Sequence, residues 1–159
     1  MPIDGQLFRH AMARLATGVT VLVAREADGG FIGMTASAVT SLSLDPPMVL
    51  ACIGHAAAAH AALAGGESFG VNILAADQQE TSRRFADRTA QRFDGAGMGR
   101  TPGGLPRLPG ALAWLEVRRA TVHAGGDHSI VTGVVEWAEA ADGEPLLYFL
   151  GGYRRSTNK

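Results

Sequence analysis

The chain has 159 residues, 47% of them hydrophobic and 18% charged, with 14 Lys+Arg against 15 Asp+Glu for a net charge of −1. That balance excludes a disordered chain and leaves no broad basic surface for nucleic acid or membrane, and the length suits a single domain, residues 1–159, with a sizeable core. The lone Cys52 excludes an internal disulfide, and a cysteine inside an apolar run is ordinarily a core residue.

Asp4 can cap a short helix carrying Leu7, Met12 and Leu15 near one face, stopped by Gly18. "VTVLVA" is β-branched and nearly all apolar, the pattern of a buried strand, and "EADGG" is a turn. From Phe31 to Leu44 the pattern alternates. Thr35, Ser37, Val39, Ser41 and Ser43 are expected on one strand face, and Met34, Ala36, Ala38, Leu42 and Leu44 on the other. Pro46 and Pro47 lead into a buried strand, "MVLACI". "HAAAAHAALAGG" has the alanine propensity of a helix closed by glycine, and "SFGVNIL" reads as a strand. A second helix is expected over "ADQQETSRRFAD", with Asp77 and Glu80 as a capping box. Gly95 to Gly110 form a long Gly/Pro-rich loop, and "ALAWLEVRRATVHA", "HSIVTGVVEWAEA" and "EPLLYFLGGY" complete the strands.

The N-terminus lacks a basic segment followed by an apolar stretch. "MVLACIGHAAAAHAALA" is too short and too polar to span a bilayer, so a cytoplasmic protein is expected. Strands in series with few helices, and no G-x-G-x-x-G after the first strand, argue against a Rossmann fold. An antiparallel barrel with peripheral helices fits better, a mainly β protein.

The chemistry is concentrated in "GMTASAVTSLSLDPP". Its hydroxyls form either a solvated strand face or donors for a ligand rich in phosphate, ribityl or carbonyl oxygens. His123, Asp127 and His128 flank a turn but lack a clear further ligand, so no metal site is assigned. His55 and His60 are poorly matched in facing on a helix. Arg83, Arg84, Arg88 and Arg92 are either a solvated face or include one phosphate-pairing guanidinium. No G-x-S-x-G and no carboxylate pair stands out, so any catalysis should reside in a cofactor.

Taken together, "FRHAMARLATGVTVLVA", "GMTASAVTSLSLDPPMVLACI", "FGVNIL", "RRFAD", "GDHSIVTGVVE" and "PLLYFLGGY" resemble, in order, the flavin reductase-like family of short-chain NAD(P)H:flavin oxidoreductases. The resemblance implies a split β-barrel homodimer holding FMN or FAD near the subunit interface, with NADH or NADPH as hydride donor. It also implies a flavin-dependent monooxygenase as the consumer of reduced flavin. By the same resemblance, Thr35, Ala36 and Ser37 lie along the flavin, and Ser41 and Ser43 approach its ribityl and phosphate oxygens. Cys52 and Ile53 approach the ring, Arg84 and Phe85 the phosphate end, and Tyr153 the ring or the nicotinamide pocket. His128 positions nicotinamide rather than donating a proton. One departure is that "IGHAAAAHAA" lacks the Asn and Ser/Thr that family members often carry there. Two other readings stand beside the reductase: a flavin-binding electron carrier, and a non-catalytic split-barrel binding module.

Overall fold

The computed structural model describes residues 1–87, 93 and 97–156. In chain order the elements are α1 (Gly5–Met12), β1 (Thr17–Gly18), β2 (Thr20–Arg25), β3 (Phe31–Ala36), β4 (Val39–Leu44), β5 (Pro47–Gly54), α2 (His60–Gly65) and β6 (Ser68–Ile73). Then follow α3 (Gln79–Ala86), β7 (Gly99–Arg100), β8 (Pro106–Arg107), β9 (Ala113–Gly125), β10 (His128–Ala140), β11 (Leu146–Phe149) and β12 (Gly152–Arg155).

The main sheet has seven strands in the order β3-β2-β6-β9-β10-β5-β4, all antiparallel. Strands β3 and β4 stand at opposite edges of that order, yet only Ser37 and Ala38 separate them in sequence. The sheet must therefore curl until its edges meet, giving the expected split barrel with peripheral helices. A small sheet, β1-β11-β12, flanks it.

Strand β2 shows why "VTVLVA" carries no polar face. Leu22 and Ala24 point into the barrel, where they pack with Val49, Ala51, Ile53, Phe69, Val71, Val117 and Val131. Val21 and Val23 point outward into a second core with Leu74, Phe85, Leu105, Leu108 and Leu146. Both faces are covered, so periodicity vanishes from the sequence. Helix α2 packs Ala59 and Leu63 against the barrel core.

Several local expectations are corrected. The alanine-rich helix is confined to His60–Gly65, and turns occupy most of the residues before it. The capping box is absent. Gln78 is the N-cap of α3 with no side-chain cap bond, because its amide accepts from Ala75 N–H and donates to Pro109 C=O. The long loop contains the β7/β8 pair and contributes Leu105 and Leu108 to the second core. The last apolar run splits into the β11/β12 hairpin, turning through Leu150 (φ 52°) and Gly151 (φ 74°).

The alternation from Phe31 to Leu44 also fails as one strand. Met34 and Ala36 face the barrel core, but past the Ser37–Ala38 corner it is Val39 that does so. A register shift between Ser41 and Ser43 then pairs Ser41 with Val49 and Ser43 with Met48. Cross-strand partners share a face, and Val49 is buried inside while Met48 is on the outer row. Ser41 and Ser43 therefore lie on opposite faces, and Leu42 and Leu44 are exposed on an edge strand.

The guanidinium of Arg107 lies 4.5 Å from the Trp114 ring centre and 5.0 Å from that of Trp137, and pairs with Glu139 at 2.7 Å. It fastens β8 to β9 and β10. Arg107→Ala is expected to cost about 1–2 kcal/mol, the range for a partly desolvated cation–π site. Arg107→Lys should recover only part, having lost the planar stack. The urea midpoint checks this, with ligand affinity unchanged.

Candidate functional site

On the outside of the barrel, three clefts converge on Thr35–Ser37. The first, about 230 Å³, is lined by Met34, Thr35, Ala57, Ala58, Ala59 and Phe85. The second, about 210 Å³, is lined by Thr35, Ala36, Ser37, Ser82, Tyr148 and Tyr153. The third, about 660 Å³, is largely apolar and lies over Met12, Ser37, Thr40, Leu50, Cys52 and Tyr148. Thr35 borders the first two, and Ser37 and Tyr148 border the last two, so the clefts form one trough. A further groove of about 650 Å³ touches the trough only through Ala58 and contains none of the candidate residues.

Helix α3 is fixed to this trough by polar and apolar contacts. Thr35 Oγ1–H donates to the Ser82 carbonyl at 2.6 Å, and Ser82 Oγ meets Tyr153 OH at 2.8 Å. Tyr148 and Tyr153 are paired across β11/β12, with their rings edge to face at 5.5 Å. Phe85 is 1% exposed and its ring presses on Gly33, where an added Cβ would stand 2.9 Å from Phe85 Cε1. Only glycine allows α3 to lie this close to β3.

The expected residues thus separate. Thr35, Ala36, Ser37, Cys52 and Tyr153 line the trough, and Phe85 forms a wall of its first cleft. The Thr35 hydroxyl hydrogen is already engaged by Ser82, while Ser37 is exposed. Ile53 is corrected: its side chain is 1% exposed inside the barrel core, so only its backbone can face a ligand. Ser41 and Ser43 border none of the three clefts. Ser82 and Tyr148 belong to the site and were missed. The one sequence signal for Tyr148 was its position opposite Tyr153 across a tight turn.

Strand register sets His128 at the end of the row that floors the apolar cleft. It pairs with Gly54, at the end of the outward row Leu50–Cys52–Gly54 on β5. A Cβ at Gly54 would lie 3.5 Å from His128 Nε2, so the imidazole rests over a position without a side chain. Successive residues of such a row are about 7 Å apart, which sets His128 one row position beyond Cys52, past the end of the apolar cleft, whose lining includes neither His128 nor Gly54. Its Nδ1 bonds Asp127 Oδ1 at 2.7 Å. That hydrogen bond, with the imidazole's charge, holds the Asp127 carboxyl below its ordinary 3.8. The stabilisation from this exposed pair is present above the ordinary carboxylate range and lost as pH falls through the depressed value.

His55, His60 and His123 are engaged elsewhere. His123 meets Thr121 Oγ1 at 3.0 Å, and His60 Nε2 meets Ser129 Oγ at 2.9 Å. His55 and His60, expected to diverge on a helix, stack edge to face at 5.1 Å, because His55 precedes α2. Among the described residues no group of three or more His, Cys, Asp or Glu could hold a metal ion. Arg88 and Arg92 lie outside the described residues.

Residues 12–157 match the family model described as a flavin reductase like domain. The chain belongs to that flavin reductase-like family. Among its relatives, the FMN reductase (NADH) SmoA of Agrobacterium fabrum is 40% identical over 152 residues, covering 96% of this chain and 86% of the relative. The reductase component of 4-hydroxyphenylacetate 3-monooxygenase from Thermus thermophilus is 41% identical, covering 94% of this chain and 95% of the relative. The Streptomyces globisporus NADH:FAD oxidoreductase SgcE6, solved in complex with NAD and FAD fragments, superposes with a TM-score of 0.90 at 34% identity. It covers 99% of this chain and 97% of that one.

The residues of this flavin reductase-like chain fit a flavin. A flat apolar ring suits the walls over Leu50, Cys52 and Tyr148. On α3, Arg84 borders none of the three clefts; its guanidinium lies 5.5 Å from the Phe85 ring centre and its Nε is buried without a hydrogen-bond partner.

Proposed function

We propose that this chain is an NADH-dependent flavin reductase that passes hydride from nicotinamide to FMN or FAD and supplies reduced flavin to a flavin-dependent monooxygenase. The observation that carries the reading is the continuous trough beside Thr35–Ser37, with His128 at the end of the row that floors its apolar cleft. Flavin, when bound, supplies an N5 atom that accepts hydride from nicotinamide C4. The chain's part is to hold the rings at roughly 3–3.5 Å and to exclude water. Leu50, Cys52 and Tyr148 provide the apolar walls and Ser37 an open hydroxyl; the family resemblance assigns Arg84 to the flavin phosphate. His128 orients the nicotinamide.

Mixing purified protein with excess flavin and NADH, and following the nicotinamide absorbance, tests the reading. Sustained oxidation supports the reductase. One stoichiometric bleaching would favour an electron carrier, and no flavin binding a non-catalytic module. NADPH in parallel tests whether the phosphorylated donor also serves.

We propose further that two copies associate. Leu7, Phe8, Met12 and Leu15 on and after α1 are 48–61% exposed, and α1 has no buried residue. Leu42, Leu44 and Leu150 add to the unpartnered apolar surface. A second copy would cover it and close the apolar cleft. Sedimentation is expected to give about twice 16.5 kDa, and Leu7→Glu with Phe8→Glu to give monomer with flavin affinity lowered at least about tenfold, roughly 1.4 kcal/mol. A wild-type monomer that binds flavin tightly would defeat this. Among the described residues no helix is long and apolar enough to cross a membrane; a cytoplasmic site of action is part of the proposal.

A further inference from the structure

We infer that Asp127 is a positioning residue that makes His128 Nε2 a hydrogen-bond acceptor for the carboxamide NH2 of the nicotinamide. The inference rests on the flavin reductase reading above and deepens it.

A carboxylate only accepts hydrogen bonds, so Asp127 Oδ1, 2.7 Å from His128 Nδ1, fixes the ring proton on Nδ1. In the neutral ring Nε2 is then bare, and it is the nitrogen turned over Gly54 and the outer row of β5. Asp127 is itself held, because its carbonyl accepts the His55 N–H at 2.9 Å. That main-chain bond ties the β9/β10 turn to the end of β5, so the carboxylate is presented from a fixed backbone. The neighbouring imidazoles do not compete: His60 Nε2 is bonded to Ser129, and His55 stacks on His60. A nicotinamide lying on the apolar cleft carries its carboxamide at the ring edge, and the NH2 is the ring's hydrogen-bond donor. A bare Nε2 at the end of the row selects that donor over a group without one.

The test compares NADH with reduced 3-acetylpyridine adenine dinucleotide, in which a methyl replaces the NH2, at about pH 8, above the ordinary histidine range. The two donors differ in reducing power, so the readout is how each variant changes the ratio of their KM values. Asp127→Ala is expected to raise KM for NADH about 3–10-fold, the size of one hydrogen bond. KM for the acetylpyridine donor and kcat for both should stay within about twofold. Asp127→Asn, whose carbonyl can accept the same Nδ1–H, should recover most of the NADH affinity. Flavin affinity reports folding; the Asp127 side chain is 94% exposed and its main-chain bond survives substitution. An equal rise in KM for both donors, no rise for either, or Asn behaving like Ala would overturn the inference while flavin reduction continued. Absence of turnover with either donor in the wild type would instead remove the parent reading, and this inference with it.

Discussion

Phe85→Ala is expected to lower the unfolding free energy by about 3–5 kcal/mol, the range for deleting a buried aromatic ring. Phe85 is 1% exposed, lies in the second core with Val21 and Val23, and meets Phe93 edge to face at 5.4 Å. Its loss opens a cavity between α3 and β3 that backbone cannot fill. Domain stabilities are only about 5–15 kcal/mol, so the effect is visible in a denaturant titration. Flavin affinity should fall as well, because α3 carries Ser82 to the trough. Phe85→Leu should restore most of both. The reverse fault is Gly33→Ala, whose methyl would meet Phe85 Cε1 at 2.9 Å and the Leu22 carbonyl at 3.1 Å. Overpacking of this kind costs about 1–3 kcal/mol. A loss below about 1 kcal/mol in Phe85→Ala would show that other contacts hold α3.

Ser37→Trp is expected to weaken flavin binding at least about 100-fold, roughly 2.7 kcal/mol, with the unliganded thermal midpoint nearly unchanged. Ser37 borders two of the three clefts and is exposed at the corner between β3 and β4. An indole there fills the trough without entering either core. Ser41→Ala with Ser43→Ala is the contrast. These residues border none of the clefts and face opposite sides of β4, so flavin affinity should change less than about threefold, under 1 kcal/mol. Fluorescence titration of flavin distinguishes the cases. Undiminished binding in Ser37→Trp would move the site elsewhere.

Much of this arrangement was legible because the relevant signals are local. The run Val19–Ala24 announced a strand covered on both faces, and Asp4 accepts from Gln6 and Leu7 N–H as its capping role requires. His128 was marked by a turn between two strong strand patterns. What was hidden depends on tertiary contacts. Period-2 alternation predicts facing only while a strand stays straight. The Ser37–Ala38 corner shifts parity, and the bulge between Ser41 and Ser43 shifts it again. Alanine propensity overstated the helix after β5, where turns bring His55 onto His60. Ile53 and Cys52 are neighbours in sequence, yet only register shows that one faces the core and the other the trough.

The strand order also governs when the site can exist as the chain folds. Hairpins β2/β3 and β4/β5 join near neighbours in sequence and can form early. They belong to opposite ends of the sheet order, and β6, β9 and β10 must come between them. Strand β5 finds its second partner only in β10, where Ile53 meets Ser129. Such distant pairings are slow to nucleate, because the loop must close before any contact rewards it. A nascent chain ending before β10 therefore holds the Thr35–Ser37 segment and Cys52 on two hairpins linked by the Ser37–Ala38 corner but not yet closed into one barrel. The floor of the apolar cleft and the histidine at its end come into register in the same step that closes the barrel, and the β11/β12 hairpin then adds Tyr148 and Tyr153.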